Sequence, residues 1–578
     1  MVWSSSIIMT RNGVVMKIIK ARCKIAEQRA DRQQKSDFVV NHREHRKPVD
    51  NDKDIEICSL FPPRNKWCNI GRARTSMDSM QRNALRLKYT YLKAARHGST
   101  EQWYVNLCKY ADDILRIFYH DEPSLPAPKV GVIKKKDDDK KMMVTCRPVC
   151  TFEFKVKIML SLLNRFLTKV FDPYFHNCSY AFRMPMEGLL KMQHQNAVVA
   201  LQNFRKSHKG QNLYVAECDM QKFYDTIDHD IIKRRLAILL HYAVRDGRMS
   251  LEDSKLARKW MWAYIDCFDF RHHVLVHNKK KADHPFWNGI ERKDGYSIKI
   301  EWIDKENYLG KPWLGVPQGG PLSGLIANVV MHFVDNDVIT AMDDSDMIYL
   351  RFCDDMILVG ADELNTKIVL EIYAASIGKS LLFAHPNKGE NYSRMSEFWN
   401  GKTRGPYIWG EKGKTVFPWV TFVGFDMNWE GCLRIRKGSF KKQMDKQNKI
   451  VNDVLREYSQ KAKSPRYCKQ SIMLSLKSRL MCMSVGRVTI WNYRAHNNKH
   501  SWMQAFSILD ENPWSSAQMS LLDRHRQVVL SRASKYLNGI ECPAIRKYDE
   551  DEFDASQRFV YTGSPFSYFG QAFKYRNN

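Results

Sequence analysis

Met347-Ile348-Tyr349-Leu350-Arg351-Phe352-Cys353-Asp354-Asp355-Met356-Ile357-Leu358-Val359 is the stretch on which the fold turns. Two apolar runs, 347–352 and 356–359, flank a short polar step, which predicts a β-hairpin with paired acids at its tip. Adjacent carboxylates repel one another unless a cation neutralises them. A second acid lies upstream in Ala216-Glu217-Cys218-Asp219-Met220-Gln221-Lys222-Phe223-Tyr224-Asp225, where Asp219 closes the β-prone run from Leu213 to Glu217. Between the two acid sites stands Gly315-Val316-Pro317-Gln318-Gly319-Gly320-Pro321-Leu322-Ser323-Gly324, a tight loop whose glycines let backbone approach a ligand.

One Asp at a strand end and an Asp-Asp turn on a neighbouring strand form a donor set suited to two divalent cations, Mg²⁺ or Mn²⁺, in in-line phosphoryl transfer. Asp219, Asp354 and Asp355 are therefore the candidate metal ligands and catalytic acids. Asp225 and Asp228 read instead as a capping or structural pair.

Outward from this centre the chain is an α+β pattern. Helical periodicity covers 79–95, 101–119, 154–170, 231–243 and 366–377, and an amphipathic helix is expected over 325–340. Val130 to Ile133 and Met142 to Thr145 predict a hairpin, and 420–425 and 432–435 predict strands. Residues 245–314 form an insertion rich in Lys, His, Trp and Asp, and helices dominate after Ser439. Residues 1–75 read as an irregular basic extension; Arg11, Lys17, Lys20, Arg22 and Lys24 carry the charge of a transit peptide or of a basic arm.

Composition narrows the partners. The 578 residues carry 92 Lys plus Arg against 63 Asp plus Glu, a formal charge of +29, which suits a polyanion. A hydrophobic fraction of 44% excludes a disordered chain. The 14 cysteines form no CxxC pair, which argues against structural zinc and for a reduced, cytoplasmic protein. No stretch of about 18 uncharged apolar residues occurs, so no membrane span is expected.

The order of these motifs resembles the palm of a bacterial reverse transcriptase. Val132-Ile133-Lys134-Lys135-Lys136, Arg147-Pro148-Val149, Lys155 and Lys157 are similar to the fingers of that family. Ser179-Tyr180-Ala181-Phe182-Arg183 resembles its Ser-Tyr-Gly-Phe-Arg element. Asn387-Lys388 resembles the motif that brings a lysine to the leaving pyrophosphate, and Phe422-Val423-Gly424-Phe425 the primer grip. The resemblance implies a right-hand polymerase: fingers over 76–210, a palm with an antiparallel sheet over 211–430, and an α-helical thumb and C-terminal region over 431–578. It implies RNA-directed DNA synthesis from dNTPs on an RNA template. Tyr224 would be the steric gate against ribose, Gln318, Arg147, Lys155 and Lys388 would contact the nucleotide, and Arg183 with the Lys442, Lys446 and Lys449 stripe would contact nucleic acid.

Within that family the Pro-Gln-Gly-Gly loop is similar to that of group II intron maturases, but Gly324 departs from their Ser-Pro-Leu-Leu continuation. The remaining pattern resembles the unknown-group, defence-associated enzymes, which act with a non-coding RNA or a partner protein, or as homo-oligomers, against phage. Tyr561 or Tyr568 could either pack on the thumb or prime synthesis. A maturase acting in splicing, an RNA-binding protein with a structural palm and an RNA-directed RNA polymerase are the alternatives.

Overall fold

The hairpin expected around the paired acids forms, at the edge of a five-stranded sheet. In the computed structural model the described residues are 8–39, 52–71, 79–184, 194–291, 294–303, 313–343, 345–387, 398, 401–411, 413, 416–460, 469–485, 502–539 and 566. The strands are β1 (Lys129–Asp138), β2 (Met143–Thr151), β3 (Leu213–Cys218), β4 (Ser297–Ile300), β5 (Met347–Phe352) and β6 (Asp355–Gly360). They continue with β7 (Arg404–Trp409), β8 (Val416–Phe417), β9 (Trp419–Phe422), β10 (Phe425–Asn428) and β11 (Leu433–Ile435). The chain divides into two units, one built from residues 1–14 and 110–423, the other from 15–109 and 424–578.

The first unit holds two sheets. The larger has the order β5-β6-β3-β7-β8 and is antiparallel except for the β7–β8 pair. Met356, Ile357, Leu358 and Val359 on β6 are all buried, so both faces of that strand are covered, which explains its unbroken apolar run. Tyr214 pairs with Gly360 and Cys218 with Met356, a register that sets the end of β3 beside the β5–β6 turn. The smaller sheet has the order β1-β2-β4; β1 and β2 are the expected hairpin, and β4, from the insertion, joins β2 in parallel.

The helix Ser323–Ala341 differs from expectation. Its first three turns, Leu325 to Asp335, are buried on nearly all sides rather than amphipathic, and only its last turns reach solvent, at Asp337 and Thr340. Its polar residues Asn328 and Asp335, which imitate a solvent face in sequence, are satisfied internally. Asp335 accepts from Arg351 Nε at 2.9 Å and Nη2 at 2.6 Å, and from the Tyr349 hydroxyl at 2.9 Å. Asn328 donates to the Ala181 carbonyl at 2.8 Å. Gly324 opens that helix where an added Cβ would stand 2.6 Å from the Phe182 ring, so the departure from the maturase pattern makes room for Phe182.

The second unit contains the antiparallel pair β10–β11 and the helices Lys437–Gln460, Lys469–Val485 and Pro513–Asn538. Val451, Ile472, Leu476, Leu480, Val529 and Ala533 form the core shared by those helices. Asn512 starts the last of them with a reciprocal capping box to Ser515. Within 1–75 the described residues are not irregular as expected: Arg11–Val39 is one helix of 29 residues. Val14, Val15, Ile18, Ile19 and Cys23 recur at helical spacing and are buried, an apolar stripe hidden in sequence by interleaved lysines and arginines. Among the described residues no helix is long and apolar enough to cross a membrane.

Candidate active site

A cleft of about 1340 Å³ opens in the first unit where the β1–β2 hairpin, the end of β3, the end of β4, the glycine loop and the β5–β6 turn converge. Asp219 leaves β3 with its backbone carbonyl accepting from the His385 amide at 2.9 Å, which fixes the carboxylate toward the cleft. Its Oδ2 pairs with Lys402 Nζ at 2.6 Å, and His385 Nε2 lies 3.9 Å away. Asp354 sits on the turn after Cys353, which adopts a left-handed backbone at φ 64. Such a conformation is uncommon for a non-glycine residue and clusters at functional turns. Burial raises the Asp354 carboxyl above its ordinary range, and the negative charge of Asp219 adds to the rise.

Asp219 and Asp354 both line the cleft, whereas Asp355 begins β6 on the exposed side of the turn and does not line it. Among the described residues no group of three His, Cys, Asp or Glu side chains converges at metal-ligand spacing. The two carboxylates fit a hard cation such as Mg²⁺ or Mn²⁺, which binds through one or two carboxylates and takes water and substrate phosphates as its other ligands. The Lys402 ammonium against Asp219 shows that this carboxylate already draws positive charge.

Backbone hydrogen bonds lock the motifs together. Val316 N donates to the Tyr224 carbonyl at 2.8 Å, Gly315 N to that of Ile227 at 2.8 Å, and Cys150 N to that of Gln318 at 2.8 Å. Gly315 has φ +84, and a Cβ there would lie 2.8 Å from the Asp225 carbonyl oxygen, so the loop can approach this closely only with glycine. Tyr224 lines the cleft, and its hydroxyl lies 3.0 Å from Cys353 Sγ. Burial pushes its phenol well above the ordinary range. Gln318 also lines the cleft and donates to Asp225, whose carboxyl burial raises to about 6. Asp228 caps the helix His229–Arg245, accepting from the Asp230 and Ile231 amides.

The cleft wall is cationic. Arg147 projects from β2, and Lys135, Lys136, Lys222 and Lys402 join it. The other sequence candidates lie elsewhere. Lys155 is turned from the cleft: its ammonium lies 3.4 Å from Asp113 and 4.8 Å from the centre of the Tyr110 ring. Arg183 is corrected from a nucleic-acid contact to a structural residue. Its side chain is 4% exposed, paired to Asp172 at 2.7 Å and donating to the carbonyls of Phe175, His176 and Ser179. Lys442, Lys446 and Lys449 are exposed on the helix Lys437–Gln460, on a face other than that of the buried Gln443 and Gln447. Lys388, Tyr561 and Tyr568 lie outside the described residues. Lys402, His385 and Glu301 are not foreseen as cleft residues, since each arrives on a loop or strand end with no spacing that relates it to the acids; Lys222 stands three residues after Asp219, where its position in the motif could have marked it.

Residues 133–404 match the family described as reverse transcriptase (RNA-dependent DNA polymerase). The chain is similar to the putative COX1/OXI3 intron 1 protein of Saccharomyces cerevisiae, with 26% identity over 213 residues, 37% of this chain and 17% of that protein. It thus spans less than a fifth of that curated relative. Among solved structures it is similar to apo telomerase from Candida tropicalis, at 13% identity and a TM-score of 0.35, covering 72% of this chain and 60% of that one. A telomerase from Candida albicans in complex with a TWJ fragment of telomeric RNA aligns at 10% identity and a TM-score of 0.32, over 90% of this chain and 84% of that one. The segment 133–404, which matches the reverse transcriptase family, is thus a mixed α+β structure that holds the antiparallel sheet, the acid-bearing hairpin and the glycine loop.

Proposed function

We propose that this protein copies an RNA template into DNA by adding dNTPs to a primer. The observation that carries the reading is that Asp219 and Asp354 line one cationic cleft, inside the segment that matches the reverse transcriptase family. Two divalent cations, when bound there, supply activation of the primer 3′-hydroxyl and neutralise charge on the departing pyrophosphate. The chain's own residues do the rest. Asp219 and Asp354 hold the cation site, with Asp355 beside them on the turn. Arg147, Lys135, Lys136 and Lys222 draw the triphosphate in and offset its charge. Tyr224 presents its ring to the sugar and disfavours a ribose 2′-hydroxyl. The lysine stripe 442, 446 and 449 tracks the template–primer backbone as part of a thumb over 431–578, with fingers over 76–210, a palm over 211–430 and a basic extension over 1–75.

We further propose a dedicated non-coding RNA as template and a role in bacterial antiphage defence. The departure at Gly324 and the helical C-terminal region support it. The similarity to an intron-encoded protein supports a second reading, a group II intron-type enzyme acting in splicing or retromobility. Primer extension with dNTPs, comparing wild type with Asp219→Ala and Asp354→Ala, tests the polymerase. Both variants should lose at least about 10³-fold in rate while melting like wild type; full activity in either overturns the assignment. Sequencing the nucleic acid that copurifies separates the two biological readings: one recurrent structured RNA with its DNA copy supports the first, excised intron RNA the second.

A further inference from the structure

The cleft contains an anion that polymerase chemistry does not ask for. Glu301 follows β4 directly, and the parallel register that sets Ile300 beside Cys146 delivers Glu301 next to Arg147. Its carboxylate lies 3.1 Å from Lys222 Nζ, 3.9 Å from Lys135 Nζ and 4.0 Å from Lys136 Nζ. The side chain is only 25% exposed, and it lines the same cleft as Asp219 and Asp354. Lys222 is itself held in a left-handed backbone conformation at φ 52, so its ammonium reaches this point from a constrained turn. Burial lowers the Lys135 ammonium from its ordinary range, and the charges of Lys222, Lys402 and Arg147 repel it further. Cations this close need an anion, and without substrate the anion is Glu301.

We infer that Glu301 occupies the seat of the nucleotide's terminal phosphates in the nucleotide-free enzyme, and that the incoming triphosphate must displace it. The inference rests on the proposed polymerase reading and adds an affinity-setting residue to it. A carboxylate carries one negative charge where even a single phosphate group carries roughly 1.5 to 2, so a chain of phosphates wins the lysines. Glu301 must then leave, because a carboxylate held against phosphate oxygens is a like-charge contact. The insertion that brings β4 to β2 thereby reduces nucleotide affinity, and the lysine triad stays ordered between turnovers.

Glu301→Gln keeps the shape and removes the charge. In single-nucleotide primer extension it should lower KM for dNTP by roughly 3- to 10-fold with the effect on KM and not on kcat. A binding titration with inorganic tripolyphosphate, with neither primer nor metal present, should show a parallel tightening. In Lys222→Gln the Glu301→Gln gain should shrink, because the displaced partner is gone. An unchanged or raised KM together with unchanged or weaker tripolyphosphate binding overturns the inference, since Glu301 would then organise the lysines rather than compete for them. If Glu301→Gln melts early, Glu301→Ala is measured against the same two readouts. Wild type that fails to extend any primer refutes the polymerase reading, while the tripolyphosphate arm still decides the role of Glu301.

Discussion

Arg351→Met should be among the most damaging substitutions outside the cleft itself. Arg351 and Asp335 are each 1% exposed, and the guanidinium makes a bidentate pair with the carboxylate at 2.9 and 2.6 Å. The third nitrogen, Nη1, donates to the Cys353 carbonyl at 2.9 Å, and Nη2 donates in addition to Ser179 Oγ at 2.9 Å. Removing the guanidinium leaves Asp335 buried with the Tyr349 hydroxyl and no cation, and it frees the turn that carries Asp354. Breaking one side of a buried pair costs about 3–5 kcal/mol. At roughly 2–4 °C per kcal/mol for a sizeable domain, the transition of the first unit should fall by about 10 °C. Differential scanning fluorimetry measures this, followed as separate transitions because a chain of two units need not melt in one step. Primer extension should fall in parallel, since Asp354 loses its anchor at Cys353. Adding Asp335→Asn removes the orphaned charge while keeping an acceptor for Tyr349, so the double variant should recover about half the loss. A single variant melting within about 2 °C of wild type, or a double variant worse than the single, would refute the reasoning.

Two other outcomes are expected. Tyr224→Ala should cut the preference for dNTP over rNTP at least tenfold, about 1.4 kcal/mol, in single-nucleotide extension; an unchanged ratio removes the gate. Asp225 should set a pH dependence of stability. Its carboxyl is raised to about 6, so the folded chain favours the protonated form. That contribution is full below about pH 4 and is lost as pH climbs through about 6, a change of roughly 3 kcal/mol. Asp225→Asn keeps an acceptor for Gln318 and should raise the melting temperature at about pH 8 but not at about pH 4; an equal gain at both contradicts it.

The parts of the fold that declare themselves in sequence are those built from short-range pattern. The hairpin 347–359 reads correctly because apolar runs on either side of Cys353-Asp354-Asp355 leave one solution. The helix Ser323–Ala341 was located but its surroundings were not, since Asn328 and Asp335 find partners more than a hundred residues away or on the next strand. The helix Arg11–Val39 was hidden because charge, not spacing, dominated the reading. At the site, Asp219, Asp354, Tyr224 and Gln318 are legible because each belongs to a contiguous motif. Lys402 and Glu301 are not, because only the sheet registers bring them to the acids. Lys155 and Arg183 sit beside the right motifs, but local carboxylates capture them first.

The interrupted make-up of the second unit bears on how the chain matures during translation. Residues 15–109 leave the ribosome first, yet the rest of their unit begins at residue 424. At roughly 5–20 residues per second, about 15–60 seconds separate the two halves. Throughout that interval the unit to which Val15, Ile18, Ile19 and Cys23 belong lacks its second half. The first half of that unit must therefore stay soluble while the cleft-bearing unit forms behind it. Slowing translation between residues 110 and 423 should lower the soluble yield of the protein more than slowing it later.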